Sequence, residues 1–281
     1  MISIDFGREI CGNLATAETR EWLVTNGIGG YASGTIAGLL TRRYHGLLVA
    51  ALKPPQQRTL LVTKLDESVR YGKEFYPLST DRWTGNIVCS NGHRNIERFF
   101  LEGTVPVWQF ACGDALLEKR IWMQQGANTT YVQYHLHRAT QPLTLTLKAL
   151  VNYRDHHSET QGNGWQMGVD SIGRGVCISA YPEAAPFYLL CRGAKPAPMH
   201  DWYHGYELAV ERDRGLNGQD DHLHAATFEA TLHPGKSITF IASTDATPNL
   251  DGETALRMQH AHEQKLLDRW KIEQDKQTDS A

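Results

Sequence analysis

Along the middle of the chain, apolar and polar residues alternate with a period of two. Val132, Tyr134 and Leu136 are interleaved with Gln133, His135 and His137, and Leu143, Leu145, Leu147 and Ala149 repeat the pattern. Such alternation predicts strands with one face turned to a core. Phe228, Ala230 and Leu232 lead through His233-Pro234-Gly235-Lys236 to Ile238, Phe240 and Ala242, which predicts two strands joined as a hairpin. Leu47 to Leu52, Thr59 to Leu65, Val105 to Phe110, Val176 to Ser179 and Phe187 to Cys191 are further strand candidates, many bounded by Gly, Pro, Asn or Asp. Only the end departs from this pattern. Asp251 is suited to cap a helix on which Ala255, Leu256, Met258, Leu266, Leu267 and Trp270 share a broad face, interrupted by Gln259, His262 and Glu263. The expectation is an all-β domain over residues 1–248, a helix over 249–275 and a disordered tail over 276–281.

Composition sharpens this picture by exclusion. With 281 residues, 41% hydrophobic and 21% charged, the chain is long enough for one large all-β domain. A net charge of -3 without a block of Lys or Arg argues against a nucleic-acid partner. The N-terminal residues resemble neither a signal peptide nor a membrane span, so a cytoplasmic protein with no membrane partner is expected. Five scattered cysteines form no CxxC pair and are expected to be reduced packing residues. His135/His137 and His222/His224 lack a third ligand at a defined spacing, so they are expected to face solvent, with no metal and no cofactor. Trp83, Trp108, Trp122 and Trp165 lie in or beside the expected strands, where burial is the common fate of a large aromatic.

The most distinctive segment runs Glu21-Trp22-Leu23-Val24-Thr25-Asn26-Gly27-Ile28-Gly29-Gly30-Tyr31-Ala32-Ser33-Gly34-Thr35. Gly27, Gly29 and Ala32 formally satisfy G-x-G-x-x-A, yet Gly30, Ser33 and Gly34 weaken any following helix. No acidic residue stands about 20 positions on, and the remainder lacks βαβ alternation. A dinucleotide fold is therefore excluded. No Gly-Lys-Ser/Thr follows this segment, which excludes a phosphate loop there.

The stretch from Glu21 to Glu67, through Thr41-Arg42-Arg43-Tyr44-His45-Gly46, Lys53-Pro54-Pro55 and Lys64-Leu65-Asp66-Glu67, resembles the opening of archaeal and bacterial glycogen-debranching enzymes. Pro106-Val107-Trp108, Glu118-Lys119-Arg120, Asn128-Thr129, Asn152-Tyr153-Arg154-Asp155-His156, and Trp202-Tyr203 with Tyr206 and Glu207 follow in the same order. The resemblance extends to the neighbourhood of Ala242. It implies an N-terminal antiparallel β super-sandwich like that of glucoamylases, with the final helix leading toward a C-terminal (α/α)6 barrel that this sequence does not include. It also implies amylo-α-1,6-glucosidase action on the branch points of glycogen or limit dextrin. The implied partners are an α-glucan and the helical catalytic domain, in cis or as a separate chain. The general acid and base carboxylates are expected in that domain, so no catalytic residue is assigned here. Asp213-Arg214-Gly215-Leu216-Asn217 and Asp220-Asp221 only approximate the Glu-Arg-Gly and Glu-Asp patterns of the family.

Substrate-binding or barrel-facing candidates are Asn26, Tyr31, Arg42, Arg43, Tyr44 and His45 in the first segment, and Asp66 and Glu67 at its end. Arg154, Asp155 and His156 join them from the middle of the chain, with Trp202 and Tyr203 from its later part. For Arg42 to His45 two readings stand: Arg–carboxylate pairs that lock a loop, or a projecting loop that donates hydrogen bonds to sugar hydroxyls. Arg154-Asp155-His156-His157 is open in the same way, between ion-pair structure and a sugar-diol site. Glycoside hydrolysis requires two carboxyl groups at a fixed separation. Asp66, Glu67, Asp155, Glu207, Asp220 and Asp221 are the acidic candidates, each equally suited to a salt bridge. Trp22, Tyr31, Tyr44, Trp202 and Tyr203 are the aromatics to test for stacking on pyranose faces. Two competing functions remain: a stand-alone α-glucan-binding module with an exposed aromatic platform, and a small sugar epimerase with an acid/base pair in a pocket.

Overall fold

A computed structural model describes residues 4–278. The first strands are β1 (Asp5–Gly7), β2 (Glu21–Thr25), β3 (Tyr31–Thr35), β4 (Gly46–Lys53), β5 (Gln56–Tyr71), β6 (Glu74–Pro77), β7 (Asp81–Trp83) and β8 (Ile87–Cys89). The middle of the chain forms β9 (Ile96–Glu102), β10 (Val105–Cys112), β11 (Ala115–Met123), β12 (Thr129–Arg138) and β13 (Leu143–Asp155). β14 (Gly168–Ile172), β15 (Gly175–Ser179), β16 (Phe187–Cys191), β17 (Lys195–Glu207), β18 (Gln219–Leu232) and β19 (Ser237–Ser243) complete the strands. Short helices α1 (Arg8–Cys11) and α2 (Leu14–Ala17) precede β2, α3 (Ala209–Asp213) lies between β17 and β18, and the long α4 (Gly252–Thr278) ends the chain.

The strands form two antiparallel sheets, as the alternating pattern predicts. The nine-stranded sheet has the order β1-β9-β10-β11-β12-β19-β16-β15-β14. The ten-stranded sheet has the order β2-β3-β4-β5-β13-β18-β17-β7-β8, with β6 added beside β5. Val132, Tyr134 and Leu136 of the first sheet and Leu143, Leu145 and Leu147 of the second are buried in one common core. Burial of each such side chain is worth roughly 1.5–3 kcal/mol, and the stack of inner faces makes the chain an all-β super-sandwich.

The hairpin expected from Phe228 to Ala242 is not formed. β18 pairs with β13 and β17 in the ten-stranded sheet, whereas β19 pairs with β12 and β16 in the other. The Pro-Gly turn is a crossing between sheets. Alternation shows which residues face a core but not which strand is the neighbour, and here both apolar faces meet across the interior, with the Phe228 and Phe240 rings 5.3 Å apart edge to face.

Several expectations of exposure also change. His222 and His224 are buried, not solvent-facing. They stand on the outer face of the ten-stranded sheet, beneath Tyr206 and Tyr203, at ring separations of 5.0 and 6.0 Å. Trp22, an aromatic candidate for sugar stacking, is a core residue that packs edge-on against Trp108 and donates its indole N–H to the Thr35 carbonyl. Trp83 and Trp165 are only half-buried. All five cysteines are free thiols, with Cys11, Cys112 and Cys191 buried.

The C-terminal helix starts where expected: Asp251 accepts the Thr254 backbone N–H at 3.1 Å, an N-cap that satisfies one orphan donor. Its contact face follows the apolar stripe only at its start, through Ala255 and Leu256. Gln259 and Glu263, read as interruptions, also touch the sandwich, through Gln125 and Thr104, and Ala255 packs near Trp122 and Tyr131. Met258, Leu266, Leu267 and Trp270 are exposed. The helix also runs through Thr278, into the segment expected to be a tail, because residues 271–278 contain no Gly or Pro to end it. Residues 279–281 of the expected tail lie outside the described residues. No described helix is long and apolar enough to cross a membrane.

Candidate functional site

The glycine-rich segment builds a rigid loop between β2 and β3. Asn26 is fully buried, its Oδ1 accepts the N–H groups of Ile28 and Gly30, and its Nδ2 donates to the Ala127 carbonyl and to Asn128. Asn26 therefore holds the loop from behind and turns no polar atom outward. Gly29 takes φ +103°, and a Cβ there would lie 2.7 Å from the Pro55 carbonyl oxygen. Only glycine accepts both the dihedral and the approach.

Beside this loop lies an open groove of 490 Å³ lined by Leu23, Thr25, Gly27, Gly29, Gly30, Tyr31 and Arg58, within the range of small-molecule sites. Arg58 donates its Nε–H to the Gly29 carbonyl at 2.8 Å, and its own carbonyl accepts the His156 N–H at 3.1 Å. Tyr31 places its hydroxyl 3.2 Å from Nδ1 of His156, and Tyr44 places its own 3.1 Å from Nδ1 of His157. Burial pushes the Tyr31 phenol up to about 12, so it keeps its proton at neutral pH. Burial, followed by the charge of His157, holds His156 below the ordinary histidine value, which favours a neutral ring.

Behind the groove the arginines are committed to carboxylates. Arg43 reaches Glu159 at 2.5 Å and Glu211 at 3.4 Å, and Arg154 reaches Asp220 at 2.8 Å. Arg42 bonds Glu21 at 2.6 Å, and His45, buried, stands 3.4 Å from the same carboxylate. The hydrogen bond from His45, then that from Arg42, lowers Glu21 to about 2 despite the opposing effect of burial. Of the two readings of Arg42 to His45, the geometry matches the locked loop for Arg42, Arg43 and His45. Tyr44 alone turns instead to the rings of His156 and His157.

The acidic candidates are likewise engaged. Asp66 stands 2.9 Å from Lys64, and Glu67 is buried between the sheets with Lys119 and Tyr134. Asp220 is pushed up to about 6 by burial. Asp221 accepts the N–H groups of Gly162 and Gly205 and pairs with His204, and Glu207 pairs with Arg212. Asp155 is exposed and accepts the His157 N–H at 2.8 Å. The groove lining itself contains no carboxylate.

Thus Tyr31, Tyr44, Arg154, Asp155 and His156 come together. Trp202 and Tyr203 do not join them: on β17, Trp202 stacks between Trp165 and His204, and Tyr203 packs on Trp83 and His224. Of the groove lining only Tyr31 belongs to the sequence-derived set; Leu23, Thr25, Gly27, Gly29, Gly30 and Arg58 do not, and His157 joins the neighbouring Tyr44–His156 cluster without having been singled out. Arg58 follows Lys53-Pro54-Pro55 closely, but its approach to Gly29 depends on the pairing of β4 with β5, which the spacing does not reveal.

The sequence profile described as "Glycogen debranching enzyme N terminal" matches residues 20–239. The chain belongs to this family. No curated protein matches the sequence. Among solved structures, the chain is similar to a bacterial glucoamylase in complex with acarbose, at 10% identity and a TM-score of 0.33, over 84% of this chain and 34% of that one. It therefore spans about a third of the glucoamylase's length. The family match includes the glycine loop, Arg58 and the Arg154–His157 segment, so the whole groove is family sequence.

Proposed function

We propose that this chain acts as the N-terminal domain of a cytoplasmic debranching enzyme for the α-1,6 branch points of glycogen or limit dextrin. In this reading residues 1–248 form the sandwich domain, and the helix beyond leads to an (α/α)6 domain in cis or on a separate chain. The groove beside Tyr31 supplies one wall of the glucan cleft. The observation that carries the proposal is a groove of family sequence that offers donors and apolar faces but no carboxylate.

The chemistry assigned to each partner follows from what it has. Cleavage of a glycosidic bond needs one carboxyl group to protonate the leaving oxygen and a second to act as nucleophile or to activate water. The helical domain is to supply both. This chain supplies binding: the Arg58 guanidinium and the Tyr31 hydroxyl can pair with sugar hydroxyls, while the Tyr31 ring and Leu23 offer apolar surface to the C–H face of a pyranose. No cofactor enters this scheme.

The test is glucose release from a branched limit dextrin by the purified chain, with and without the helical domain of a complete debranching enzyme. No release alone, together with saturable glucan binding, supports the proposal. Release by the chain alone that survives repurification would overturn it.

A further inference from the structure

Asp155, His156 and His157 follow one another at the end of β13, and each brings a ligand atom to within 4.8 Å of the others. Two imidazoles and a carboxylate are a donor set suited to borderline ions, which bind such groups at about 2.0–2.2 Å in a tetrahedral array. Ligands of one tetrahedral ion at these lengths stand about 3.3–3.6 Å apart, so binding requires the three side chains to rotate inward.

The rings are already held from outside. The Tyr31 and Tyr44 hydroxyls meet His156 and His157 at Nδ1. When each Nδ1–H donates to its tyrosine oxygen, both Nε2 lone pairs are free for a metal, the way outer groups orient metal-binding histidines. Asp155 uses Oδ1 for the His157 N–H and keeps Oδ2. Tyr31, Tyr44 and the histidines come from three separate segments, so the arrangement is a product of the fold.

The surrounding charge is close to balanced. Arg43, Arg58 and Arg154 stand near the cluster, but Glu159, Glu211 and Asp220 engage two of them. Arg214 also pairs with Glu211 at 3.7 Å, so with Asp155 four carboxylates stand against four guanidiniums before any ion is present.

We propose that Asp155, His156 and His157 form a binding site for a divalent ion of the zinc class, with Tyr31 and Tyr44 as the outer groups that orient the rings. A fourth tetrahedral position remains for water or a hydroxyl-bearing ligand. This site is independent of the glucan reading and stands or falls by metal binding alone.

The full chain, free of any affinity tag and stripped with chelator, is titrated with zinc chloride by calorimetry and with cobalt chloride by visible absorption. One ion per chain is expected, with a tetrahedral cobalt spectrum. His157→Ala and Asp155→Asn should each weaken binding tenfold or more, and Tyr44→Phe should weaken it by about tenfold. His157 and Asp155 are exposed, so these variants keep the fold, which thermal melting checks. Substoichiometric binding overturns the proposal. So does an ion whose affinity is unchanged in His157→Ala and His156→Ala, since it then sits elsewhere.

Discussion

Tyr134 of the nine-stranded sheet donates its hydroxyl hydrogen to the Glu67 carboxylate of the ten-stranded sheet at 2.8 Å, across the interior of the sandwich. Lys119 pairs with the same carboxylate from β11. Burial, then the charge of Glu67, holds the Tyr134 phenol well above its ordinary value, so it stays a donor. A polar bolt thus crosses a largely apolar interior, where Trp108 Nε1–H to the Ile36 carbonyl and Asn128 to the Ala51 backbone are further polar ties between the layers.

Glu67→Ala removes one partner and leaves Lys119 and Tyr134 unpaired in the interior. A loss of about 3–5 kcal/mol is expected, as for other broken buried pairs, and Glu67→Leu combined with Lys119→Met should lose much less. Urea unfolding midpoints measure both. Equal losses in the single and double variants would show that shape, not pairing, decides stability here.

Gly29→Ala combines two penalties at the groove. A positive φ costs a non-glycine residue roughly 1–2 kcal/mol, and the new Cβ also meets the Pro55 carbonyl oxygen at 2.7 Å, a backbone atom that cannot rotate away. Gly126 has φ +79° with nothing within 4 Å of the place a Cβ would take, so Gly126→Ala should show the strain alone. Denaturant unfolding of the pair should give a clearly larger loss for Gly29→Ala. Equal losses would mean that the Pro55 turn simply moves.

Much of this architecture was legible in the residues. The period-two runs at Val132–Leu136 and Leu143–Ala149 place their inner faces correctly, and Asp251 caps the helix as its position suggests. What failed was pairing over distance. The Pro-Gly turn after Leu232 reads as a hairpin but joins two sheets, because each apolar face finds a different partner strand. His222 and His224 read as solvent-facing because no third metal ligand stands at a defined spacing, a test that cannot reveal that Tyr203 and Tyr206 cover them. Tyr31 in the groove, with His156 and Tyr44 packed behind it, was found through the family segment, whereas Arg58 enters through the β4–β5 register. Asn26 carries the family signature for a structural reason, since its amide is consumed by the loop.

Acid should weaken the fold through its buried histidines. Asn152 donates to Nδ1 of His222 at 3.1 Å, so the ring proton sits on Nε2, 3.7 Å from Asp220. Burial, then the charge of Arg154, holds His222 well below 6.5, and burial lowers His93 and His224 in the same direction. As pH falls below 6.5 the unfolded chain takes up protons that the fold refuses, so stability falls by up to about 1.4 kcal/mol per pH unit for one such group. Asp220, pushed up from 3.8 to about 6, runs the other way: between those values the fold binds a proton that the unfolded chain has released. The decline should therefore begin below pH 6.5 and ease below about 6. Unfolding free energies across this range should show a shallower slope in His222→Gln, and an unchanged slope would exclude His222 as a contributor.

The groove's part in glucan binding turns on Arg58. Its side chain is exposed, its only hydrogen bond among the described residues is to the Gly29 carbonyl, and no carboxylate lines the groove with it. Truncation should therefore leave stability within about 0.5 kcal/mol, as for surface residues without special contacts. A hydrogen bond from a charged donor is worth about 1.5–3 kcal/mol, so Arg58→Ala should weaken maltooligosaccharide binding by roughly tenfold or more. Affinity electrophoresis through glycogen measures this, with Lys236→Ala in the β18–β19 crossing as a control for overall charge. Equal retardation of Arg58→Ala and Lys236→Ala would show that charge alone is sensed and would remove the groove from the glucan path. A selective loss in Arg58→Ala would place sugar hydroxyls against the guanidinium beside Tyr31.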